Sequence, residues 1–159
     1  MKQKYSSANT SINKLGRLYR IVGEQITTKD VPTILDFGAG KYRKGTEYLR
    51  EKGFTVDSYE PSLGDSKPTG KYKAILLSNV LNVIEEDKII LDILRQCKYM
   101  LADEESGVLI TVYEGDKTGK GKPSKEDCYQ RNMKTKDYTK LMLKVFDTIE
   151  IEDNVIGLQ

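Results

Sequence analysis

The sequence predicts an α/β protein in which helices cover both faces of a mostly parallel β-sheet, with an antiparallel hairpin at the C-terminus. Short apolar runs that fit buried strands alternate with longer segments of helical periodicity, which is typical of a doubly wound sheet. The 159 residues, 38% of them hydrophobic, suffice for one domain with its own core. No internal repeat or linker divides the chain, so we expect residues 1–159 to form a single domain.

The N-terminal half predicts an arm followed by two helix–strand alternations. The predicted elements are, in order, a flexible arm over residues 1–11, a helix over 12–25, a strand over 33–37, a helix over 44–52 and a strand over 54–59. Apolar residues recur at helical spacing from Ile12 to Ile26, and Gly53 is a favourable residue to end the second helix. The last strand alternates Phe, Val and Tyr with Thr, Asp and Ser, as expected for a half-buried strand.

The C-terminal half begins with a loop over residues 61–72, because Pro, Gly and Ser are frequent there and apolar residues are scarce. The predicted elements after this loop are, in order, a strand over 73–78, a helix over 85–101, a strand over 107–113, a polar loop over 114–130, a helix over 135–146 and hairpin strands over 148–152 and 155–158. Asp153 and Asn154 separate the last two strands and are favoured turn residues.

The composition excludes several kinds of chemistry. The chain has no histidine, which removes histidine bases, histidine triads and histidine metal ligands together. Its two cysteines, Cys97 and Cys128, are too few for a disulfide framework or a zinc site, so we expect a reducing cytoplasmic location and no bound metal. No apolar run reaches the roughly 20 residues of a membrane span, and the basic start lacks the apolar core of a secretory signal.

Positive charge is concentrated in two segments, although the net charge is only +2. Residues 1–23 carry five basic residues and no acidic one, and residues 117–144 carry nine basic residues against three acidic ones. Such an asymmetry fits an anionic partner such as a nucleic acid, and it fits two solvated basic surfaces equally well. Both interpretations remain open at this point.

A glycine turn follows the first predicted strand. The segment Asp36–Gly40 reads DFGAG, and Glu60 ends the next predicted strand 22 residues after Gly38. Glycine lets the backbone bend sharply and approach a ligand closely. Because ligands of doubly wound sheets bind beyond the carboxyl ends of the strands, the turn and Glu60 predict one ligand site.

Three classes of ligand compete for this turn. A phosphate-binding loop would need a lysine between Gly45 and Thr46, and a dinucleotide fingerprint would need a glycine in place of Arg43. S-adenosylmethionine carries no phosphate and is positively charged, which suits the carboxylate of Asp36 beside the turn. Glu60 can accept hydrogen bonds from both ribose hydroxyls. The residues therefore favour S-adenosylmethionine as the cofactor.

Four segments carry a resemblance to a known family. The sequences "ILDFGAG", "VDSYEP", "YKAILLSNVLNVIEED" and "GVLITVYEGD" resemble the motifs of class I S-adenosylmethionine-dependent methyltransferases over about residues 30–115. The segment "DCYQRNMKTKDY" is similar to small methyltransferase-like proteins of bacteria and phages. The resemblance implies a Rossmann-like doubly wound sheet. The third strand of that fold is short or missing here, which leaves Asp65 or Ser66 to meet the adenine.

The resemblance also implies a cofactor site at the ends of the strands. The predicted cofactor-binding residues are Asp36, Gly38, Ala39, Gly40, Glu60, Pro61, Ser78 and Asn79. Asp36, Gly38 and Gly40 would meet the methionine part, Glu60 the ribose, and Ser78 and Asn79 the region of the sulfonium. Residues of the N-terminal segment are predicted to close over the cofactor carboxylate, namely Tyr5, Asn9, Thr10 and Lys14.

The substrate side is predicted from the segments that follow the later strands. Asn79, Glu114 and Asp116 are the predicted catalytic residues, because an amide or carboxylate at the mouth of the site could hold or deprotonate an acceptor. The predicted substrate-side residues are Tyr113, Tyr129, Gln130 and Asn132. The aromatic Pro-Pro motif that grips planar amines in base-modifying enzymes is replaced by Ser78–Leu81.

The sequence therefore predicts a methyltransferase that uses S-adenosylmethionine. Its acceptor is expected to be a small molecule or a nucleic acid, and no membrane partner is expected. Two alternatives remain open: a non-catalytic module that only binds S-adenosylmethionine, and an enzyme that degrades it.

Overall fold

The computed structural model describes residues 2–159 and contains a six-stranded sheet, a separate two-stranded hairpin and four α-helices. The strands are β1 (Thr33–Phe37), β2 (Thr55–Tyr59), β3 (Ala74–Ser78), β4 (Gly107–Thr111), β5 (Lys122–Lys125), β6 (Cys128–Gln130), β7 (Ile149–Glu152) and β8 (Val155–Leu158). The helices are α1 (Arg17–Gln25), α2 (Lys44–Glu51), α3 (Asp87–Tyr99) and α4 (Thr139–Met142). Four 3-10 helices cover Ala8–Thr10, Pro61–Leu63, Leu81–Val83 and Thr135–Tyr138.

The large sheet has the strand order β2-β1-β3-β4-β8-β7. Strands β1 to β4 run parallel, and the β7–β8 hairpin adds to β4 in antiparallel pairing. This arrangement confirms the predicted doubly wound, mostly parallel sheet with its C-terminal hairpin. No strand lies between β2 and β3, so the expected absence of a third strand is also confirmed within residues 2–159. As a result β2 forms one edge of the sheet.

The two faces of the sheet bury separate apolar clusters because neighbouring residues of a strand point to opposite sides. Ile34 of β1 packs with Leu18 and Leu49 of α1 and α2. The next residue, Leu35, packs on the other face with Ile90 and Leu94 of α3. All six side chains are fully buried, and each such burial contributes about 1.5–3 kcal/mol to the free energy of unfolding.

The edge strand β2 is covered at one point by a side chain of α2. Arg50 donates two hydrogen bonds to the carbonyl oxygen of Val56, from Nε at 3.0 Å and from an Nη atom at 2.7 Å. A second strand-edge contact comes from Tyr72, whose hydroxyl donates to Asp57 at 2.7 Å.

Three predicted boundaries were wrong. The helix predicted over 12–25 begins only at Arg17, because Gly16 is extended and residues before it cross the top of the sheet. The loop predicted over 114–130 contains the β5–β6 hairpin, which turns at Asp127 in the left-handed conformation. The helix predicted over 135–146 is reduced to one 3-10 turn and the short α4, after which the chain turns so that Phe146 enters the core.

The N-terminal segment lies against the body of the protein. The Ser6 amide donates to the Asp127 carboxylate at 3.1 Å, and the Ser7 hydroxyl donates to the Val83 carbonyl at 2.9 Å. Tyr5 stacks on Tyr129 with ring centroids 5.3 Å apart. The flexible arm predicted over residues 1–11 stays a prediction, and Met1 lies outside the described residues.

Two further observations concern the chain as a whole. Cys97 and Cys128 are both free and buried, and burial raises the pKa of the Cys97 thiol well above its ordinary value. Among residues 2–159, none of the helices has the length and apolar content needed to cross a lipid bilayer.

Candidate active site

A cavity of about 690 Å³ lies at the carboxyl ends of β1, β2 and β3. Its walls come from the glycine turn after β1, the end of β2, the loop after β3 and strand β6, and residues 2–14 cross over it. The volume falls in the range of small-molecule and cofactor sites, and the position is where ligands of doubly wound sheets bind.

The glycine turn forms one wall of the cavity. Gly38 and Gly40 have φ angles of 80° and 75°, a region that L residues rarely adopt. A Cβ atom on Gly38 would lie only 2.5 Å from Cγ2 of Val80, so a side chain cannot be added there without a shift. The amides of Gly38 and Ala39 both donate to the Tyr59 carbonyl, at 2.7 and 3.2 Å, which ties the turn to the end of β2.

Glu60 follows β2 and faces the cavity together with Pro61. Its Oε1 accepts a hydrogen bond from the Gly40 amide at 2.8 Å. Its Oε2 accepts from the amide of Ser62 at 3.1 Å and from the Ser62 hydroxyl at 2.8 Å. A carboxylate offers about four acceptor sites, so Glu60 organises the wall of the cavity and keeps limited capacity for a ligand hydroxyl.

Asp36 lies beneath the glycine turn and does not line the cavity, which corrects the expected contact with a ligand. Its two oxygens accept hydrogen bonds from the Tyr19 hydroxyl at 2.7 Å and from the Thr46 hydroxyl at 2.6 Å. Burial raises the pKa of Asp36 to about 6, against the opposing effect of both hydrogen bonds. Burial likewise raises the pKa of Tyr19 well above its ordinary value.

Arg43 is a cavity residue that the sequence did not predict. It caps the start of α2 in the left-handed conformation, with φ 50°. Its guanidinium donates to the Ser58 hydroxyl and to the Asp65 carboxylate, the latter at 2.7 Å, and this contact lowers the pKa of Asp65. Asp65 also accepts from the Glu60 amide at 2.9 Å, so it supports Glu60 and does not line the cavity where an adenine was expected.

The loop after β3 contributes Ser78 and Asn79 to the cavity. Asn79 adopts the left-handed conformation with φ 56°, which asparagine tolerates better than most residues. Its backbone N–H donates to the Thr111 carbonyl at 2.9 Å. Asn82, three residues further on, lines the same cavity although only 2% of it is exposed. No pattern in the sequence pointed to Asn82, because an asparagine in a 3-10 turn usually satisfies local backbone groups.

Two of the three predicted catalytic residues lie outside the cavity. Glu114 accepts a hydrogen bond from the Thr135 amide at 2.6 Å, which lowers its pKa, and it faces a separate, smaller groove. Asp116 accepts from the amide and hydroxyl of Thr118, at 3.0 and 2.7 Å, and these bonds lower its pKa. Both carboxylates hold the loop after β4, and only Asn79 of the predicted trio faces the cavity.

The substrate-side predictions divide in the same way. Tyr113, Tyr129 and Gln130 line the cavity. Asn132 does not, because its side chain is buried against the loop after β4, where it accepts from the Asp116 backbone amide at 3.3 Å.

The N-terminal segment closes the cavity from above. Thr10, Ser11 and Lys14 line it, whereas Asn9 does not and Tyr5 acts through its stacking on Tyr129. Among residues 2–159, no cluster of three or more His, Cys, Asp or Glu side chains could hold a metal ion.

No protein-family model matches this sequence, and no curated protein matches it at a significant level. Solved structures do match. The 1,6-didemethyltoxoflavin-N1-methyltransferase of Burkholderia thailandensis, solved with its substrate and S-adenosylhomocysteine, has a TM-score of 0.66 at 14% identity, over 90% of this chain and 77% of that one. DesVI of Streptomyces venezuelae has a TM-score of 0.61 at 9% identity, over 98% and 92%. Human N-acetylserotonin methyltransferase, solved with S-adenosylmethionine, has a TM-score of 0.57 at 13% identity, over 89% and 50%.

The chain has the methyltransferase fold. At these identities the likeness concerns the fold, and it confirms the Rossmann-like architecture that the motifs predicted. The chain spans about half the length of the human enzyme and of an O-methyltransferase from Nostoc punctiforme. One cavity is lined both by predicted cofactor-binding residues, such as Gly38 and Glu60, and by predicted substrate-side residues, such as Tyr129 and Gln130.

Proposed function

We propose that this protein binds S-adenosylmethionine in the cavity above β1–β3 and transfers its methyl group to an acceptor. The observation that carries the proposal is the joining of the glycine turn to Glu60 in one cavity of about 690 Å³. This occurs in a fold shared with methyltransferases that have been solved with S-adenosylmethionine or S-adenosylhomocysteine.

The residues of the cavity fit this cofactor. The backbone of the glycine turn lines the cavity at Gly38, Ala39 and Gly40, and no side chain fits at Gly38 because a Cβ there would collide with Val80. Glu60 presents a carboxylate at the cavity wall, which suits ribose hydroxyls and the positive charge of a sulfonium ligand. A dinucleotide fingerprint would need a glycine in place of Arg43, and a phosphate-binding loop would need a lysine between Gly45 and Thr46, so this turn disfavours NAD and ATP. Gly38, Ala39, Gly40, Glu60, Pro61, Ser78 and Asn79 are the residues proposed to hold the cofactor.

When bound, the cofactor supplies a methyl carbon attached to a good leaving group. The chain then has to align an acceptor atom with that carbon and exclude water. Asn79 follows β3 in the left-handed conformation and lines the cavity, unlike the other two predicted catalytic residues. Its side chain is therefore the proposed positioning group. Residues 2–14 cover the cavity and reduce the access of water.

The acceptor is proposed to be a small molecule or a nucleic acid. The neighbours named above include enzymes whose names state small-molecule substrates, such as N-acetylserotonin. A nucleic acid is the second candidate, because Lys122 and Lys125 lie on the fully exposed β5 strand next to the cavity residue Ser124. We also propose a cytoplasmic location, since both buried cysteines are free.

Calorimetry tests whether the cofactor binds, and a labelled methyl donor tests whether its methyl group is transferred. S-adenosylhomocysteine should bind in the micromolar range, on the order of −8 kcal/mol, and NADH and ATP should bind far more weakly. Transfer of labelled methyl to any member of an acceptor panel would separate a transferase from a module that only binds the cofactor. Tighter binding of NADH than of S-adenosylhomocysteine would overturn the proposal.

A further inference from the structure

A side-chain pair on the acceptor side of the cavity has one hydrogen-bonding edge left over. Asn82 Nδ2 donates to Gln130 Oε1 at 3.3 Å, and both residues line the cavity. The Oδ1 atom of Asn82 is buried and has no hydrogen-bond partner. A buried polar atom without a hydrogen-bond partner is destabilising, so such an atom on a residue of the cavity wall points to a ligand that completes its hydrogen bonding.

The leftover edge does not depend on how the two amides are oriented. In the observed orientation Asn82 keeps a free carbonyl and Gln130 keeps a free amino group. If both amides were turned over, Gln130 would keep the free carbonyl and Asn82 the free amino group. In either case the pair keeps one unused acceptor and one unused donor.

The backbone holds this pair in place. The Arg131 amide donates to the Asn82 carbonyl at 2.9 Å, which joins β6 to the 3-10 turn after β3. The Arg131 guanidinium donates to the Ile84 carbonyl at 3.0 Å and to Asp87 at 2.6 Å. Next to Gln130, Tyr129 stacks on Tyr5 and lines the cavity, so an apolar face adjoins the polar edge.

We propose that Asn82 and Gln130 recognise the methyl acceptor, and that the acceptor carries a planar group with a hydrogen-bond donor and acceptor side by side. A carboxamide, a lactam or an amino-substituted nitrogen heterocycle has this edge, and such a group forms two parallel hydrogen bonds with the pair. The inference rests on the proposed function, because it assigns the acceptor side of the same cavity.

Isosteric probes test the edge directly on protein saturated with S-adenosylhomocysteine. Benzamide has the complementary donor and acceptor, whereas acetophenone has the same shape and lacks the donor. The wild-type protein should bind benzamide about tenfold more tightly than acetophenone. Acetophenone cannot form the second hydrogen bond, and it leaves the free acceptor of the pair without a partner. Equal affinities for the two probes would overturn the proposal.

The Gln130→Glu variant should reverse the preference. Its carboxylate fixes the orientation of Asn82 and turns the edge into two acceptors, so benzamidine, with two donors, should replace benzamide as the preferred probe. Benzylamine controls for charge alone, and Gln25→Glu makes the same change at an exposed site on α1. Asn82→Asp creates the same two-acceptor edge from the other partner and serves if Gln130→Glu does not fold. An unchanged preference in a folded variant would overturn the proposal.

The design separates this inference from the proposed function. Failure to bind S-adenosylhomocysteine would overturn the proposed cofactor, and the benzamide and acetophenone titrations can then be repeated on the free protein.

A competition experiment identifies the source of the planar group. Cytidine and a single-stranded oligonucleotide compete with benzamide, and stronger competition by the oligonucleotide assigns the edge to a base within a nucleic acid. Competition by cytidine alone assigns it to a small molecule.

Discussion

The Oε1 atom of Glu60 accepts a hydrogen bond from the Gly40 amide at 2.8 Å, which joins the ends of β1 and β2 at the wall of the cavity. The carboxylate therefore has two tasks in this structure. It fixes the glycine turn, and it presents negative charge to whatever occupies the cavity.

Replacement of Glu60 by glutamine should weaken cofactor binding more than it weakens the fold. The amide retains one acceptor for Gly40 but loses the charge, so the dissociation constant for S-adenosylhomocysteine should rise about tenfold. The free energy of unfolding should fall by only about 1 kcal/mol. Calorimetry and urea titration measure the two effects, and Glu47→Gln, exposed on α2, is the matched control. Unchanged affinity with a large loss of stability would assign Glu60 a purely structural role.

Asp36 should make the stability of the protein depend on pH. Its pKa of about 6 in the folded chain lies above the ordinary value of 3.8, so the folded state favours the protonated form. The stability contributed by Asp36 is therefore fully present below pH 3.8 and is lost as the pH rises through about 6. The difference between the two pKa values corresponds to about 3 kcal/mol.

The Asp36→Asn variant should remove this dependence. The free energy of unfolding of the wild type, relative to that of the variant, should fall by about 2 kcal/mol between pH 4 and pH 7. Urea titrations across this range measure the difference, and the Asp147→Asn change at an exposed position should leave the profile unaltered. Parallel profiles for the wild type and Asp36→Asn would show that Asp36 is ionised at its ordinary pKa.

Tyr5→Ala should loosen the segment that crosses the cavity. Stacking of this kind contributes about 0.5–1.5 kcal/mol, and its loss should speed hydrogen exchange at the amides of Ser6 and Ser7, which are bonded to Asp127. Binding of S-adenosylhomocysteine should weaken with it, since Thr10 and Ser11 line the cavity. Tyr99→Ala is the control, because that ring is 77% exposed. Unchanged exchange rates would mean that the stacking does not hold the segment.

Replacement of four lysines by serine should leave cofactor binding intact. Lys117, Lys120, Lys122 and Lys125 lie on or next to the exposed hairpin and do not line the cavity, so the affinity for S-adenosylhomocysteine should stay within about twofold. Any binding of DNA or RNA should weaken, and its dependence on salt should flatten through the loss of phosphate contacts. Titrations at two salt concentrations measure this. An unaltered salt slope would exclude these lysines from nucleic-acid contact.

The large sheet could be predicted because its strands are either apolar runs, as in β1, β3 and β4, or alternate apolar with polar residues, as in β2 and β7. The β5 strand reads Lys-Pro-Ser-Lys and is exposed throughout, so nothing in its composition distinguishes it from a loop. Only backbone pairing with β6, next to the buried Cys128, makes it a strand. Helix α1 began late because the residues before Gly16, despite their helical spacing, extend over the cavity.

The candidate site could be predicted where it depends on neighbours in sequence. The glycine turn and Glu60 follow consecutive strands, so parallel pairing brings them together. The roles of Arg43 and Asn82 depend on partners distant in the chain, Asp65 for the first and Gln130 for the second. Glu114 and Asp116 were predicted at the active site from their position after β4. That position does not reveal that their carboxylates accept hydrogen bonds from the backbone amides of Thr135 and Thr118.

The contact between Arg50 and Val56 has a consequence for how copies of this protein meet. Without a third strand next to β2, the outer backbone groups of β2 form a template on which another chain could add a strand and begin aggregation. Two hydrogen bonds from Arg50 occupy the Val56 carbonyl on this strand, and the guanidinium places a positive charge there. Arg50 is thus a gatekeeper residue, whose loss would lower solubility at high concentration before it altered the fold.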